Sequence, residues 1–245
     1  MRLKSLACDA LARPVYFCAA RSAQIVDVQL VERHLHKPEE IRGRLQQLID
    51  ATEGQGYQAI ALAFGLCGQA TSGLAARSIP LVIPRAHDCI TLFLGDRQRY
   101  KAEIEKEPGT FWYSQDYLER KSDANATLAM GATTDADLQT MYEHYIQKYG
   151  RAKADRLMSV MSEWLTHYKR AVYLHLGLGD ESSAEAEARS SAASHHWQFE
   201  RIAANLDLFQ RLLDGQWNDD FLIVPPGQRG AMSYDENVIE SRNDA

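Results

Sequence analysis

Three of the four cysteines of this chain follow segments that have the apolar character of buried β-strands. Cys8 ends the segment LKSLAC, Cys67 follows AIALAFGL, and Cys89 follows PLVIPRAHD. The carboxyl ends of parallel strands meet at one edge of a sheet, where α/β proteins usually bind ligands. We therefore expect these three thiols to share a site. Cys18 lies in an apolar stretch and is predicted to belong to the core.

The three thiols, together with His87, predict a metal site. Thiolate and imidazole are ligands of Zn²⁺ and of iron–sulfur centres, whereas Mg²⁺ and Ca²⁺ prefer oxygen. The predicted ligands are Cys8, Cys67, His87 and Cys89, and Asp88 could orient the imidazole. The chain has no pair of cysteines separated by two residues, so the hypothesis rests on the strand ends rather than on a metal-binding motif.

Two other chemistries fit the same edge. In the first, no metal is bound, and a thiolate activated by His87 and Asp88 acts as a nucleophile or carries a proton. In the second, the protein is a non-catalytic module that binds a small anionic ligand or a partner, and the cysteines only pack. Arg85 would then contact the anion, although a structural role is equally compatible with the sequence. Gly65 and Gly68 would let the backbone approach the ligand closely.

Composition excludes several classes of function. The chain has 245 residues and a formal net charge of −6, which disfavours nucleic-acid binding because that role needs a basic face. Arg42 belongs to a short basic patch that is predicted to be solvated surface. No apolar run is long enough to span a membrane or to form a signal peptide, so we expect a cytoplasmic protein with reduced cysteines and no membrane partner.

Strands and helices alternate in the first part of the chain. Apolar or alternating runs predict strands, and Pro38 followed by two acidic residues predicts the start of a helix. The predicted strands cover residues 3–7, 24–31, 58–64 and 80–83, and short helices are predicted from Thr71 to Ser78 and from Thr91 to Leu94. This alternation predicts an α/β fold with a Rossmann-like parallel sheet flanked by helices.

The remainder of the chain has a different organisation. Residues 135–168 are predicted to be helical, with a break at Tyr149 and Gly150, and residues 171–176 and 221–225 are predicted strands. A helix is expected to carry Trp197, Ile202, Leu206, Phe209 and Leu213 on one side. We predict a single domain over residues 1–230. It would consist of a cysteine-bearing half (1–120) and a helical half with a second strand–helix region (121–230), followed by a loose polar tail (231–245).

The chain resembles the uncharacterised prokaryotic family called domain of unknown function 1638. The matching segments are Leu6-Ala7-Cys8, LHKPEEIRGRLQQLID (35–50), Phe64 to Gly68, Gly73-Leu74, IPRAHDCITLFLG (83–95), Pro108 to Phe111, Tyr149-Gly150 and FLIVPPG (221–227). The resemblance implies no established activity. It does imply an association with corrinoid-dependent methyl-transfer systems, beside which such proteins are often found. A thiol-bound metal would then bind or activate a methyl acceptor, or the protein would assist a corrinoid protein.

Overall fold

A computed structural model describes residues 1–32, 38–67, 69–120 and 135–243 of the chain. The strands of these residues are, in chain order, β1 (Arg2–Cys8), β2 (Ile25–Val31), β3 (Ala59–Ala63), β4 (Leu81–Pro84), β5 (Thr110–Ser114), β6 (Arg170–His175), β7 (Gln198–Ala203), β8 (Phe221–Val224), β9 (Gln228–Met232) and β10 (Ile239–Asn243). The α-helices are α1 (Ala12–Arg21), α2 (Pro38–Ala51), α3 (Cys89–Leu94), α4 (Arg97–Lys106), α5 (Gln115–Glu119), α6 (Asp135–Tyr149), α7 (Arg151–Leu165), α8 (Ser182–Ser194) and α9 (Asp207–Asp214). None of these helices is both long and apolar enough to cross a membrane.

The chain divides into two compact units. Unit 1 contains Met1–Tyr100 and Ala204–Ala245, and unit 2 contains Lys101–Ala203. The predicted α/β fold with a parallel sheet flanked by helices is confirmed. The division differs from the predicted halves, which met at residue 120, because the last 42 residues (Ala204–Ala245) return to the first unit.

Unit 1 is built on a five-stranded sheet of order β2-β1-β3-β4-β8. Strand β1 pairs in parallel with both β2 and β3, and β8 runs antiparallel to β4. All five residues of β3 are buried, because helices cover both faces of a parallel sheet. This burial explains why the segment AIALA is apolar throughout. The four parallel strands therefore end at one carboxyl edge.

Helices pack against both faces of this sheet. Leu45, Leu48 and Ile49 of α2 join an apolar cluster that includes Leu6 of β1 and Leu62 of β3. Side chains alternate along a strand, so the neighbours of Leu6 face the other side. Helices α1 and α9 contact each other there, and they also contact the strands. Helix α2 begins at Pro38 with Glu39 and Glu40 in its first turn, as the sequence predicts.

The prediction of a loose tail is wrong for the residues that the structure describes. Strands β9 and β10 form an antiparallel hairpin, and Ile239 is 1% exposed because it packs in the same cluster as α2. The predicted helix over 71–78 is also wrong. The main-chain N–H groups of Gly73 and Ala76 donate to the carbonyls of Gly230 and Gln228, so this segment pairs with the hairpin.

Unit 2 has a three-stranded parallel sheet of order β5-β6-β7. Aromatic residues dominate its core: Phe111, Tyr113, Tyr173 and Trp197 pack with small residues of α8. The predicted helical segment is α6 and α7, and Gly150 (φ +79°) separates them as expected. The helix expected around residues 197–213 is instead the strand β7 followed by α9.

Candidate functional site

The carboxyl edge of unit 1 contains a topological switch point between β1 and β3. The chain leaves β1 towards β2 on one side, and α2 then returns it past β1 to β3 on the other side. Ligands of open α/β sheets bind where neighbouring strands send the chain in opposite directions. Cys8 ends β1, Cys67 lies in the loop after β3, and Cys89 begins α3 after β4. The structure thus places these three cysteines at the predicted edge.

The loops that follow β3 and β4 are joined by main-chain hydrogen bonds. The N–H of Leu66 donates to the carbonyl of Ala86 at 2.7 Å, and that of Cys67 donates to His87 at 2.9 Å. A Cβ on Gly65 would lie 2.5 Å from Cα of Asp88. Gly65 therefore allows the close approach of another loop, whereas we predicted the approach of a ligand. Gly68 lies outside the described residues.

Asp88 uses both of its carboxylate oxygens within unit 1. Oδ1 accepts the N–H groups of Ile90 (2.9 Å) and Thr91 (3.3 Å) at the start of α3, and Oδ2 accepts the hydroxyl of Tyr100 at 2.9 Å. Burial raises the pKa of Asp88, while the bond from Tyr100 opposes this rise. The carboxylate thus caps a helix and binds a tyrosine.

His87 does not form the predicted pair with Asp88. Within the described ranges no hydrogen bond joins the two side chains, and the carboxylate accepts from Ile90, Thr91 and Tyr100 instead. The imidazole is exposed and stacks on Tyr100, with ring centroids 6.2 Å apart. Its position at the edge leaves it accessible to a ligand or to a metal.

The thiol of Cys67 is enclosed by the two joined loops, although the residue keeps some exposed surface. Burial, followed by the charge of Asp88, raises the pKa of this thiol to about 12, and the backbones of Gly65 and Cys89 counteract part of the rise. Cys67 is therefore protonated at neutral pH, which opposes its use as an unassisted nucleophile. Its backbone has φ +44°, and that of Gln69 has φ +76°.

The other two predicted metal-ligand positions and Cys18 have different surroundings. Cys8 is half-buried, its Sγ lies 3.8 Å from Oδ1 of Asp9, and it packs against the cluster beside α2. Cys89 is half-buried at the start of α3. Cys18 is fully buried in α1, as predicted for a core residue, and burial raises its pKa to about 12. None of the four cysteines forms a disulfide.

The predicted metal ligands do not form a ready metal cluster. Among the residues that the structure describes, no group of three or more His, Cys, Asp or Glu side chains is placed to hold a metal ion. Cys8, Cys67, His87 and Cys89 share an edge of the sheet, but they do not converge on one point there. The metal site stays a prediction.

Arg85 has a structural role. Its Nη1 donates to the carbonyls of Asn237 (3.0 Å) and Ile239, and its main-chain N–H donates to the carbonyl of Asp220. Burial lowers the pKa of its guanidinium. This agrees with the structural alternative for Arg85, with main-chain carbonyls of the hairpin as its partners.

Sequence reasoning missed Arg42 as a candidate site residue. Its Nη2 donates to the carbonyl of Gln69 at 3.1 Å, which places the guanidinium beside the loop that carries Cys67. Its Nε is buried and has no hydrogen-bond partner among the described residues. The available signal was its position in the first turns of the helix that follows β2, since such helices begin at the carboxyl edge of a parallel sheet.

The comparison with protein families agrees with the resemblance seen in the sequence. A family model described as a protein of unknown function (DUF1638) matches residues 30–213. These residues include α2, the loops after β3 and β4, and all of unit 2. No curated protein matches the chain. Because the matched residues make up more than half of the sequence, the chain belongs to the DUF1638 family.

Proposed function

We propose that unit 1 binds a small anionic ligand at its carboxyl edge, with Arg42 as the cationic contact and the loop after β3 as the wall of the site. The observation that carries this proposal is the position of the Arg42 guanidinium against the carbonyl of Gln69. Arg42 takes the place of Arg85 as the proposed anion contact, because the guanidinium of Arg85 is bound to the hairpin.

The chemistry of Arg42 fits an anion. A guanidinium presents several N–H donors in a planar fork that matches a carboxylate or a phosphate. One nitrogen of Arg42 holds the loop, and the buried Nε lacks a partner within the described residues. Arg42 also lies in the first two turns of α2, where the positive end of the helix dipole adds to its charge.

The conformation of the loop supports a functional role. Cys67 and Gln69 both have positive φ, a conformation that costs free energy for residues other than glycine. The two hydrogen bonds from Leu66 and Cys67 to the loop after β4 hold the first part of this loop. Backbone strain that is held in place in this way is concentrated at binding sites.

The proposal is tested by titrating the full chain with inorganic phosphate and with acetate while NMR or thermal unfolding is recorded. We expect saturable binding that weakens about 10- to 100-fold in Arg42→Gln, because a charged hydrogen bond is worth about 1.5–3 kcal/mol. Arg44→Gln is the matched control: it removes the same charge from an exposed position of the same helix. Equal binding by the two variants would contradict the proposal.

A second candidate function is the binding of Zn²⁺ or an iron–sulfur centre by Cys8, Cys67 and Cys89, with His87 as the fourth ligand. It is favoured by the arrival of three of the four cysteines, none of which forms a disulfide, at one edge. The enclosed Cys67 thiol would have to lose its proton to bind a metal, so the affinity would rise with pH. The protein should be purified without oxygen and examined by elemental analysis and its optical spectrum. Metal retained by a Cys67→Ala, Cys89→Ala double variant, at the level of a Cys18→Ala control, would exclude this candidate.

The family resemblance supports a further, more specific proposal about partners. The protein would assist corrinoid-linked methyl transfer in the cytoplasm, where its thiols would stay reduced. This is tested by mixing the purified chain with a corrinoid protein from the same genome and measuring co-elution in gel filtration. The Arg42→Gln and Arg44→Gln variants then show whether the carboxyl edge of unit 1 takes part. Metal-free catalysis by the Cys67 thiol is a less favoured alternative, because burial raises the pKa of this thiol to about 12.

A further inference from the structure

A histidine–glutamate pair lies at the carboxyl edge of the sheet of unit 2, where the sequence predicted no site. His175 ends β6, and its Nδ1 lies 3.0 Å from Oε2 of Glu181. Glu181 also accepts main-chain N–H groups from the turn after β6: Oε1 accepts those of Leu176 (3.1 Å) and Gly177 (2.6 Å). Oε2 accepts the N–H of Leu176 as well, at 3.4 Å. Both oxygens of Glu181 therefore act as acceptors of main-chain N–H groups, which is the behaviour of a carboxylate.

This arrangement fixes the tautomer of His175. Because Glu181 accepts, Nδ1 must carry the hydrogen, and Nε2 of the neutral ring is left with a lone pair. Nε2 has no hydrogen-bond partner among the described residues, and 30% of the side chain is exposed. A Cβ on Gly177 would lie 3.8 Å from Nε2, so the turn after β6 passes beside this nitrogen. A carboxylate that orients an imidazole in this way prepares its other nitrogen to accept a proton.

One buried polar atom beside the turn lacks a partner. The Oε1 of Gln115, in a residue 2% exposed, makes no hydrogen bond within the described residues. Gln115 reaches this turn through its Nε2, which donates to the carbonyl of Asp180 at 2.6 Å. Burial, followed by the charge of Glu181, raises the pKa of Tyr173, so its hydroxyl is close to the same carboxylate. Unpaired buried atoms of this kind are usually satisfied by water or by a ligand.

Charge limits what such a site could bind. Glu119 accepts the amide of Gln115 at 2.6 Å, and Asp180 and Glu181 lie in the turn itself, so carboxylates surround the edge. The nearby Arg120 pairs with Asp116. An anion would be repelled here, whereas a neutral or cationic molecule would not be.

We propose that His175 is the general base of a second site, which takes a proton from a hydroxyl or ammonium group of a neutral or cationic small molecule. The proton moves from the O–H or N–H of that molecule to Nε2, and the bonding pair stays on the oxygen or nitrogen. The imidazolium that forms keeps its Nδ1–H bond to Glu181, whose negative charge stabilises it. Glu181 is a positioning residue, and Gln115 lines the site. This site is independent of the anion site proposed for unit 1.

The tautomer is tested by ¹⁵N NMR of the ring nitrogens in the full chain at neutral pH. We expect His175 to carry its hydrogen on Nδ1. In Glu181→Gln the amide can still accept the main-chain N–H groups through its oxygen, but its NH₂ group donates to the ring. The tautomer should therefore reverse, with the hydrogen on Nε2. A wild-type protein with the hydrogen of His175 on Nε2 overturns the proposal, whatever the variant does.

Reactivity provides a second measurement. Diethyl pyrocarbonate acylates unprotonated imidazole nitrogens, and peptide mass spectrometry locates the product. We expect acylation of His175 to slow by at least about tenfold in Glu181→Gln, because the free lone pair is lost. The exposed His196 of the same unit should react unchanged and is the internal reference. Equal rates for His175 in the two proteins would count against the proposal.

The substrate class is tested with two small probes of similar size. 2-Aminoethanol should shift the NMR signals of His175 and Gln115 in a saturable manner, whereas glycolate should leave them unchanged. The absence of a response to 2-aminoethanol, or an equal response to glycolate, overturns the assignment of a neutral or cationic substrate. Arg42→Gln should behave as the wild type in these titrations, which separates this site from the one in unit 1.

Discussion

The hydroxyl of Tyr100 donates to Oδ2 of Asp88 at 2.9 Å, while Oδ1 of the same carboxylate caps α3. One side chain therefore fixes both the start of a helix and a tyrosine twelve residues away. Burial raises the pKa of Asp88, and the bond from Tyr100 keeps that rise smaller. The loop after β4 depends on this carboxylate for its conformation. The positions of His87 and Cys89, which lie in or beside this loop, therefore depend on it too.

Tyr100→Phe should destabilise unit 1 in a way that depends on pH. While Asp88 is ionised, the substitution removes a hydrogen bond to its carboxylate, which costs about 1.5–3 kcal/mol. The raised pKa means that folding favours the protonated acid, so the contribution of Asp88 to stability falls as the pH rises through its folded value. The penalty of the variant should therefore shrink when Asp88 becomes protonated.

This prediction is measured by urea unfolding at neutral pH and at about pH 4, near the usual pKa of an aspartic acid. Tyr234→Phe is the control, because Tyr234 is 93% exposed and should change the free energy of unfolding by less than about 0.5 kcal/mol. A penalty for Tyr100→Phe that is the same at both pH values would show that Asp88 stays in one protonation state.

Gly65→Ala should be strongly destabilising. The new Cβ would lie 2.5 Å from Cα of Asp88, so the two loops would have to separate and lose the hydrogen bonds of Leu66 and Cys67. Overpacking of this kind costs about 1–3 kcal/mol, and the lost bonds add to it.

Gly43→Ala is the matched control for this change. Gly43 lies in α2, and a Cβ there meets nothing within 4 Å. Alanine should stabilise the helix by about 1 kcal/mol because it is the better helix former. Opposite signs for the two substitutions in urea unfolding are the expected result. A neutral Gly65→Ala variant would show that the loops are not in close contact in solution.

The sequence predicted the strands of unit 1 well, because buried parallel strands are recognisable as short apolar runs between turn residues. It failed where distant residues decide the structure. Residues 71–78 pair with the hairpin through Gly230 and Gln228, which no local pattern reveals. In β7, Ile202 is buried on one side of a strand, but its spacing to Leu206 and Phe209 also fits a helical face.

The same reasoning applies to the site. The carboxyl edge could be predicted because the carboxyl ends of parallel strands meet at one edge of a sheet, whatever the strand order. The roles of Arg85 and Asp88 could not, since their partners are the carbonyls of the hairpin and a tyrosine of the next helix. Arg42 was missed for a related reason: its partner, the carbonyl of Gln69, lies 27 residues further along the chain.

Cys67 should react slowly with iodoacetamide at neutral pH in the folded protein. Burial and the charge of Asp88 raise the pKa of its thiol to about 12, so very little thiolate is present. Mass spectrometry of alkylated peptides should show rapid labelling of the same cysteine once urea unfolds the chain. Fast labelling in the folded protein would restore the thiol-enzyme alternative.

Arg85→Met should loosen the hairpin of β9 and β10 while most of unit 1 stays folded. The methionine fills a similar volume but removes the donors to Asn237 and Ile239. Hydrogen bonds from charged donors are worth about 1.5–3 kcal/mol. Hydrogen exchange of the main-chain amides of residues 228–243 should therefore accelerate roughly 10- to 100-fold, since about 1.4 kcal/mol corresponds to a factor of ten. Arg242→Met is the control variant, because Arg242 pairs with the nearby Glu240 and its side chain is 61% exposed. If both variants accelerate exchange equally, Arg85 does not hold the hairpin.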